Sequence, residues 1–148
     1  MATQQDRINT IIAIINSNGA LTSANVNKLK TEFKQVIEVD VINPSKRKNI
    51  LKILHSTRAL DSTLKSILDH HHIRNGKHSI GQYITQLTIH TNTSLGTLSQ
   101  SERAKYQRSI ADVRNTHLHT ADSYPRNDSD VYELISEMQS LITRVTSL

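Results

Sequence analysis

The stretch SKRKNILKILHSTRALDSTLKSILDHHH, residues 45–72, decides the fold. It contains no glycine or proline, and its apolar residues recur at intervals of three and four, the spacing of one face of an α-helix. At 1.5 Å per residue such a helix extends about 40 Å, which is long for a small domain. The sequence therefore predicts the central helix of a bundle. The positions expected to be buried are Ile50, Ile53, Leu54, Thr57, Leu60, Leu64, Ile67 and Leu68.

Further helices are predicted on both sides of this central helix. The chain of 148 residues has four glycines and two prolines, and no segment alternates long enough to form a sheet. The residues expected to open successive helices are Thr3 (with Asp6), Thr22 or Ser23, Pro44 or Ser45, Ser79, Ser99 or Ser101, and Asp130 (with Glu133). Residues 88–101 are predicted to form a loop. The fold class is thus all-α, a single-domain bundle of about five to six helices over residues 1–148.

The amino-acid composition of the chain limits which classes of function it can have. Without cysteine, neither a disulfide framework nor a zinc–thiolate site can form, and we expect a cytoplasmic protein. The apolar run at residues 8–15 is too short to span a bilayer, so no membrane partner is expected. A net charge of +5 favours polyanionic partners, whereas 3% aromatic residues argue against a base-stacking platform. RNA would therefore be held by charge, in a cleft.

The segment RNTHLH, residues 114–119, combines the residue types that cleave RNA without a metal. The guanidinium of an arginine can contact two phosphate oxygens at once. An imidazole that titrates near neutrality can move a proton to or from a ribose hydroxyl. The combination favours acid–base cleavage of RNA. The structural alternative is a solvated helix end, where the helix dipole favours histidine and arginine.

Helical geometry alone does not bring Arg114 and His119 together. Their side chains differ by about 140° around an ideal helix. Contact is therefore predicted only if the helix unwinds after Asn115, or if a second copy of the chain faces the first. His117 falls on the same stripe as Ile110, so a core-facing or interface position is expected for it.

The segment resembles the R-N-x-x-x-H signature of the HEPN domains (higher eukaryotes and prokaryotes nucleotide-binding), all-helical proteins many of which are metal-independent ribonucleases. The likeness covers most of the chain in architecture and residues 114–125 in motif. It implies that Arg114, Asn115 and His119 are catalytic, that no cofactor is needed, and that a homodimer forms one composite cleft. The ribose 2′-hydroxyl would attack the adjacent phosphate, leaving a 2′,3′-cyclic phosphate and a 5′-hydroxyl.

The resemblance also implies a biological role. Such nucleases occur in toxin–antitoxin and phage-defence systems, so a cognate antitoxin or another defence-system protein is a candidate partner. Members paired with a minimal nucleotidyltransferase carry a tyrosine two residues after the histidine. Ala121 occupies that position here, and the nearest tyrosine is Tyr124, so that form of regulation is not expected. The alternatives are a non-catalytic HEPN-like module that binds RNA, nucleotide or a protein partner, and a structural helical adaptor.

Three further residues are candidates for binding RNA: Arg58, His117 and Tyr124. Arg58 lies beside the predicted buried face of the central helix. Its structural interpretation is an ion pair with Asp61, Glu133 or Glu137, and its functional one is a second cation in the cleft. The histidine-rich run at residues 69–72 lacks the (i, i+4) spacing of a helical metal site, so no metal is expected there.

Overall fold

A computed structural model describes residues 2–21, 23–43, 45–89, 95–121, 123–125 and 127–148, and these residues form helices and connecting turns without a strand. The helices are α1 (Gln4–Ser17), α2 (Ser23–Glu38), α3 (Ser45–His70), α4 (Ile80–Ile89), α5 (Gln100–Tyr106), α6 (Asp112–His119) and α7 (Asp128–Thr146). A 3₁₀ turn at Val39–Val41 follows α2, and a π-helical turn at Gln107–Ala111 joins α5 to α6. The predicted all-α bundle is confirmed.

Helix α3 is the central helix of the bundle. It packs against α2, α4, α6 and α7. Its predicted apolar face is buried from Ile53 to Leu68, whereas Ile50 and Leu54 remain partly exposed. Full burial of one such aliphatic side chain contributes roughly 1.5–3 kcal/mol, so this face is a main source of stability. The helix ends at His70, before the predicted end, because the backbone turns to a positive φ of 58° at His72.

Side-chain caps fix where α1 and α5 begin. Thr3 accepts a hydrogen bond from the backbone N–H of Asp6 at 3.0 Å, and the Asp6 carboxylate accepts one from the N–H of Thr3 at 2.8 Å. Ser99 and Glu102 form the same reciprocal pair at the start of α5. The sequence predicted the first of these caps and offered Ser99 as one of two choices for the second. Each such cap is worth about 1 kcal/mol.

The predicted cap of α7 is wrong. The helix begins at Asp128, and the side chain of Asn127 accepts the hydrogen bond from the backbone N–H of Asp130 at 3.1 Å. Asp130 therefore lies within the first helical turn, where its charge complements the helix dipole, and it does not pair with Glu133 as a capping box. Two other residues predicted to open helices, Thr22 and Pro44, lie outside the described residues, as do parts of the predicted loops at 90–94, 122 and 126.

The core is aliphatic and continuous across the bundle. Helix α1 packs its buried isoleucines against α7 and α2, and α7 buries an apolar face that extends from Val131 to Val145. Tyr83 and Phe33 are the largest fully buried side chains. No helix within the described ranges is both long enough and apolar enough to cross a membrane.

Candidate active site and basic cleft

The candidate motif is positioned by the rod that α5, the π turn and α6 form together. Tyr106 anchors the end of α5, since its ring is buried and its hydroxyl lies 2.8 Å from Oγ of Ser140 on α7. Ile110 and Ala111 are buried within the π turn. A π turn inserts one residue into the helix and rotates the next helical segment by about 100° relative to an uninterrupted α-helix. The direction in which the α6 side chains point is therefore set by this turn.

Arg114 and His119 meet within a single chain. Nη1 of Arg114 lies 3.3 Å from Nε2 of His119, although α6 stays helical up to His119. The expectation that contact requires unwinding after Asn115 or a second copy is therefore wrong. Side chains on a helix lean towards its N-terminus, so the His119 ring tilts back towards the preceding turn. The long arginine side chain spans the remaining angle.

The contact can be a hydrogen bond in one direction only. A guanidinium N–H only donates, so Nε2 of His119 would be the acceptor. The same nitrogen could accept a hydrogen bond from a hydroxyl that replaces Arg114. His119 is exposed, so such a hydroxyl has access to it.

A carboxylate on the central helix, that of Asp61, is affected by the charge of Arg114. Oδ1 of Asp61 and Nε of Arg114 are both buried and both lack a hydrogen-bond partner among the described residues. Burial raises the pKa of the Asp61 carboxyl, while the nearby Arg114 charge and a hydrogen bond with Tyr83 oppose part of that rise. Burial also raises the pKa of the Tyr83 hydroxyl, and the charge of Asp61 adds to that increase. Arg114 thus lies beside His119, and its charge also acts on Asp61.

Arg114 and Asn115 also line a cleft of about 470 Å³ between α4 and the rod of α5 and α6. We call this the basic cleft. Its charged lining residues are Lys77, Arg103 and Arg114, and its carboxamides include Gln82, Gln107 and Asn115. No aspartate or glutamate among the described residues lines it. His119 lies outside the lining, so Arg114 is the residue that connects the cleft with the imidazole.

His117 points to a different side of α6. It is half-buried, and its Nδ1 lies 3.2 Å from Oγ of Ser123. It lines a second cleft of about 530 Å³, which contains Glu133 and Glu137 as well as cations. The core-facing or interface position expected for His117 thus agrees in part with the structure, but this residue does not join Arg114 in the basic cleft.

The other two candidates for binding RNA lie away from the motif. Nε of Arg58 pairs with Oε1 of Glu32 on α2 at 3.2 Å, so the ion-pair partners expected for it on α3 and α7 are wrong. The Arg58 side chain is 60% exposed and lines a third cleft, between α2 and α3. Tyr124 is partly exposed, with Nζ of Lys46 5.0 Å from its ring centroid. The structure does not bring Arg58 or Tyr124 together with Arg114.

The histidine-rich end of α3 forms a turn. The rings of His70 and His71 meet edge to face at 5.0 Å. Burial lowers the pKa of His71, and the neighbouring charges of His70 and His72 lower it further. Among the described residues, no three histidine, aspartate or glutamate side chains converge in a group able to hold a metal ion.

Sequence reasoning missed the residues that complete the site. Asp61 was considered only as a partner for Arg58, although the charge that acts on its carboxyl is that of Arg114. Lys77 and Arg103 come from segments distant from the motif, and no local pattern marks either residue as part of a site. The helical register that would relate them to Arg114 is changed by the π turn.

Comparison with protein-family models, with curated proteins and with solved structures finds no match to this chain.

Proposed function

We propose that the protein is a metal-independent endoribonuclease with Arg114, Asn115 and His119 as its catalytic residues. The observation that carries the proposal is the 3.3 Å contact between the Arg114 guanidinium and Nε2 of His119 in one chain. It joins a cation suited to a phosphate with an imidazole nitrogen placed to exchange a proton with the substrate. The cleft beside Arg114, lined by cations and amides, supports a polyanionic substrate.

The contact suggests how the substrate enters the site. A ribose 2′-hydroxyl would replace Arg114 as the donor to Nε2 of His119, and the released Nη1 would bind the adjacent phosphate. His119 takes the hydroxyl proton as the 2′-oxygen attacks phosphorus. The bond from phosphorus to the 5′-oxygen breaks, leaving a 2′,3′-cyclic phosphate and, once that oxygen is protonated, a 5′-hydroxyl. Arg114 stabilises the charge on the phosphorane, and Asn115 orients the substrate or His119.

A homodimer would complete the reaction. One histidine cannot be both the base and a fresh acid in the same step, and a second copy would supply the other imidazole. Helix α6 has no fully buried residue, and Asn115 and His119 are exposed on it, which leaves this helix accessible to a partner chain. A role in the cytoplasm as a toxin or phage-defence effector, with a cognate antitoxin or defence-system protein as partner, is the biological part of the proposal and rests on the HEPN resemblance.

The chemistry of the products tests this proposal. The purified protein is incubated in EDTA with a mixed pool of RNA molecules and, separately, with a DNA pool of the same sequences. We expect RNA fragments that end in 2′,3′-cyclic phosphates and begin with 5′-hydroxyls, and intact DNA, because DNA lacks the attacking hydroxyl. Cleavage of the DNA pool, fragments with 5′-phosphates, or no cleavage of RNA would each refute the mechanism. An inert protein would make the non-catalytic HEPN-like module the better account.

A further inference from the structure

The basic cleft differs from the neighbouring clefts in the charges of its lining residues. Four other clefts on the described surface each include at least one carboxylate: Glu32 and Asp69 in one, Asp130, Glu133 and Glu137 in the second, Glu102 in the third, and Asp112 in the fourth. The basic cleft combines Lys77, Arg103 and Arg114 with no acid among the described residues. Its volume of about 470 Å³ lies within the range of small-ligand pockets, roughly 300–1,000 Å³.

Two of its cations have no partner within the described part of the chain. Neither the ammonium of Lys77 nor the guanidinium of Arg103 makes an ion pair or a hydrogen bond with another described residue. By contrast, Arg144 on α7 pairs with Glu102 on α5 at 2.7 Å. Two cations that line the same cleft and are not neutralised by described residues repel one another, so they favour an anion from outside the chain.

The opposite wall of the cleft places a carboxamide close to α4. The backbone at Gly81, the second residue of α4, could accommodate alanine without strain. Alanine would also stabilise the helix by roughly 0.5–1 kcal/mol relative to glycine. A Cβ atom there would lie 3.1 Å from the amide nitrogen and oxygen of Gln107. The glycine therefore lets the Gln107 carboxamide approach α4. Carboxamides both donate and accept hydrogen bonds, as the sugar and base edges of a nucleotide require.

We propose that the basic cleft is a subsite for one phosphate of a nucleic-acid strand, bound by Lys77 and Arg103 within a single protomer. The nucleotide attached to this phosphate contacts the carboxamides of Gln82 and Gln107. The strand continues past Arg114 to His119. The choice of an RNA strand as the natural ligand rests on the proposed function, whereas the subsite itself requires no cleavage.

A strand that cannot be cut tests the subsite separately from catalysis. A fluorescent single-stranded DNA oligonucleotide has the same phosphates as RNA but lacks the attacking hydroxyl, and its affinity is measured by anisotropy. The double variant Lys77→Gln/Arg103→Gln is compared with Lys34→Gln/Arg47→Gln, which loses the same charge at exposed residues outside the five clefts. We expect binding to weaken about tenfold in the first variant, as for the loss of two partly solvated charged contacts, and to change little in the second.

A third variant distinguishes binding within the cleft from general electrostatic attraction to the protein surface. Gly81→Leu adds bulk beside Gln107 without changing the charge, so it should also weaken strand binding if the phosphate and its nucleotide occupy the cleft. Circular dichroism establishes that each variant is folded. Equal losses in the cleft and control double variants, or unchanged binding in Gly81→Leu, would overturn the subsite. If 5′-AMP bound as tightly as the oligonucleotide, the site would be one for a free mononucleotide and the strand assignment would be wrong.

The outcomes for the subsite and for the nuclease are independent. RNA cleavage with no loss of strand binding in Lys77→Gln/Arg103→Gln would remove the subsite and leave the proposed function. Strand binding that depends on Lys77 and Arg103, in a protein that cuts no RNA, would keep the subsite and remove the nuclease.

Discussion

At the scale of single residues, Asp61 is the group whose environment most directly affects the candidate site. Its carboxyl lies on α3, and Arg114 lies on α6, so the two link the central helix to the motif. Burial raises the pKa of Asp61 more than the neighbouring positive charge of Arg114 lowers it. Burial therefore disfavours the ionised form of Asp61 in the folded protein, and the charge of Arg114 offsets part of that cost.

This cost predicts a pH-dependent effect of Asp61→Asn. In the unfolded chain the carboxyl titrates near its ordinary pKa of 3.8, while the folded chain retains the proton to a higher pH. The contribution of Asp61 to the stability of the parent protein should therefore fall as the pH rises from 3.8 through the raised folded pKa. Asparagine cannot ionise, so the free energy of unfolding of the variant, relative to the parent, should be higher at about pH 7 than at about pH 3.

Urea unfolding of the two proteins at both pH values measures this difference. The parent and the variant serve as controls for each other, since every other titrating group is shared. A relative stability that is the same at both pH values, or that is lower at neutral pH, would show that the ionised Asp61 is not disfavoured in the fold.

At the scale of secondary-structure elements, the sequence predicted where the helices are better than how they join. The extent of α3 and the buried faces of α1, α4 and α7 follow from the spacing of apolar residues. This spacing does not depend on how the helices are arranged in the bundle. The sequence alone does not identify the N-cap of α7, because Asn127 and Asp130 are both residues that cap helices well. Selection between them depends on tertiary packing.

The π turn is the feature that local sequence could not predict. Nothing in QRSIA, residues 107–111, distinguishes a π turn from an α-helix, and its formation follows from burying Ile110 and Ala111 while Tyr106 stays bonded to Ser140. For this reason the motif residues could be named from the sequence, but the face on which Arg114 meets Lys77 and Arg103 could not. The contact with His119 was missed because only the angle around the helix was considered, and not the lean of side chains towards the N-terminus or the length of the arginine.

The start of α5 offers a test at this scale. Ser99→Ala removes the side-chain oxygen that accepts the N–H of Glu102 at 3.1 Å, so it should lower the free energy of unfolding by about 1 kcal/mol. The matched control is Ser101→Ala, an exposed residue inside the helix, which should be neutral or slightly stabilising. Chemical unfolding of both variants is the measurement. Equal effects of the two substitutions would contradict the cap.

At the scale of the whole molecule, the distribution of charge matters more than its total. A net charge of +5 would attract any polyanion, and ion pairs neutralise only some of the cations on the described surface, as Glu32 does for Arg58 and Glu102 does for Arg144. Lys77 and Arg103, which line the basic cleft together with Arg114, are not neutralised by any described residue. The molecule should thus bind a strand on one face.

The salt dependence of binding measures how many phosphates that face neutralises. Three contacts to a single strand give a slope of about −2 for the logarithm of affinity against the logarithm of salt, so a rise from about 50 to about 200 mM should weaken binding about twentyfold. The Lys77→Gln/Arg103→Gln protein should lose about two-thirds of this slope. A slope that is unchanged in that variant would mean that the strand binds elsewhere.

The most direct test of the central claim is the rate at which RNA is cut by proteins altered at Arg114 and His119. Parent, Arg114→Ala and His119→Ala proteins are compared in EDTA with Arg108→Ala and His70→Ala, which remove the same residue types from exposed positions. We predict rates roughly 10²-fold to 10⁴-fold lower for the two motif variants, at equal folding and oligomeric state, and near-parental rates for the two controls. Cleavage by Arg114→Ala or His119→Ala at the parental rate would contradict the assignment of this pair as the catalytic centre.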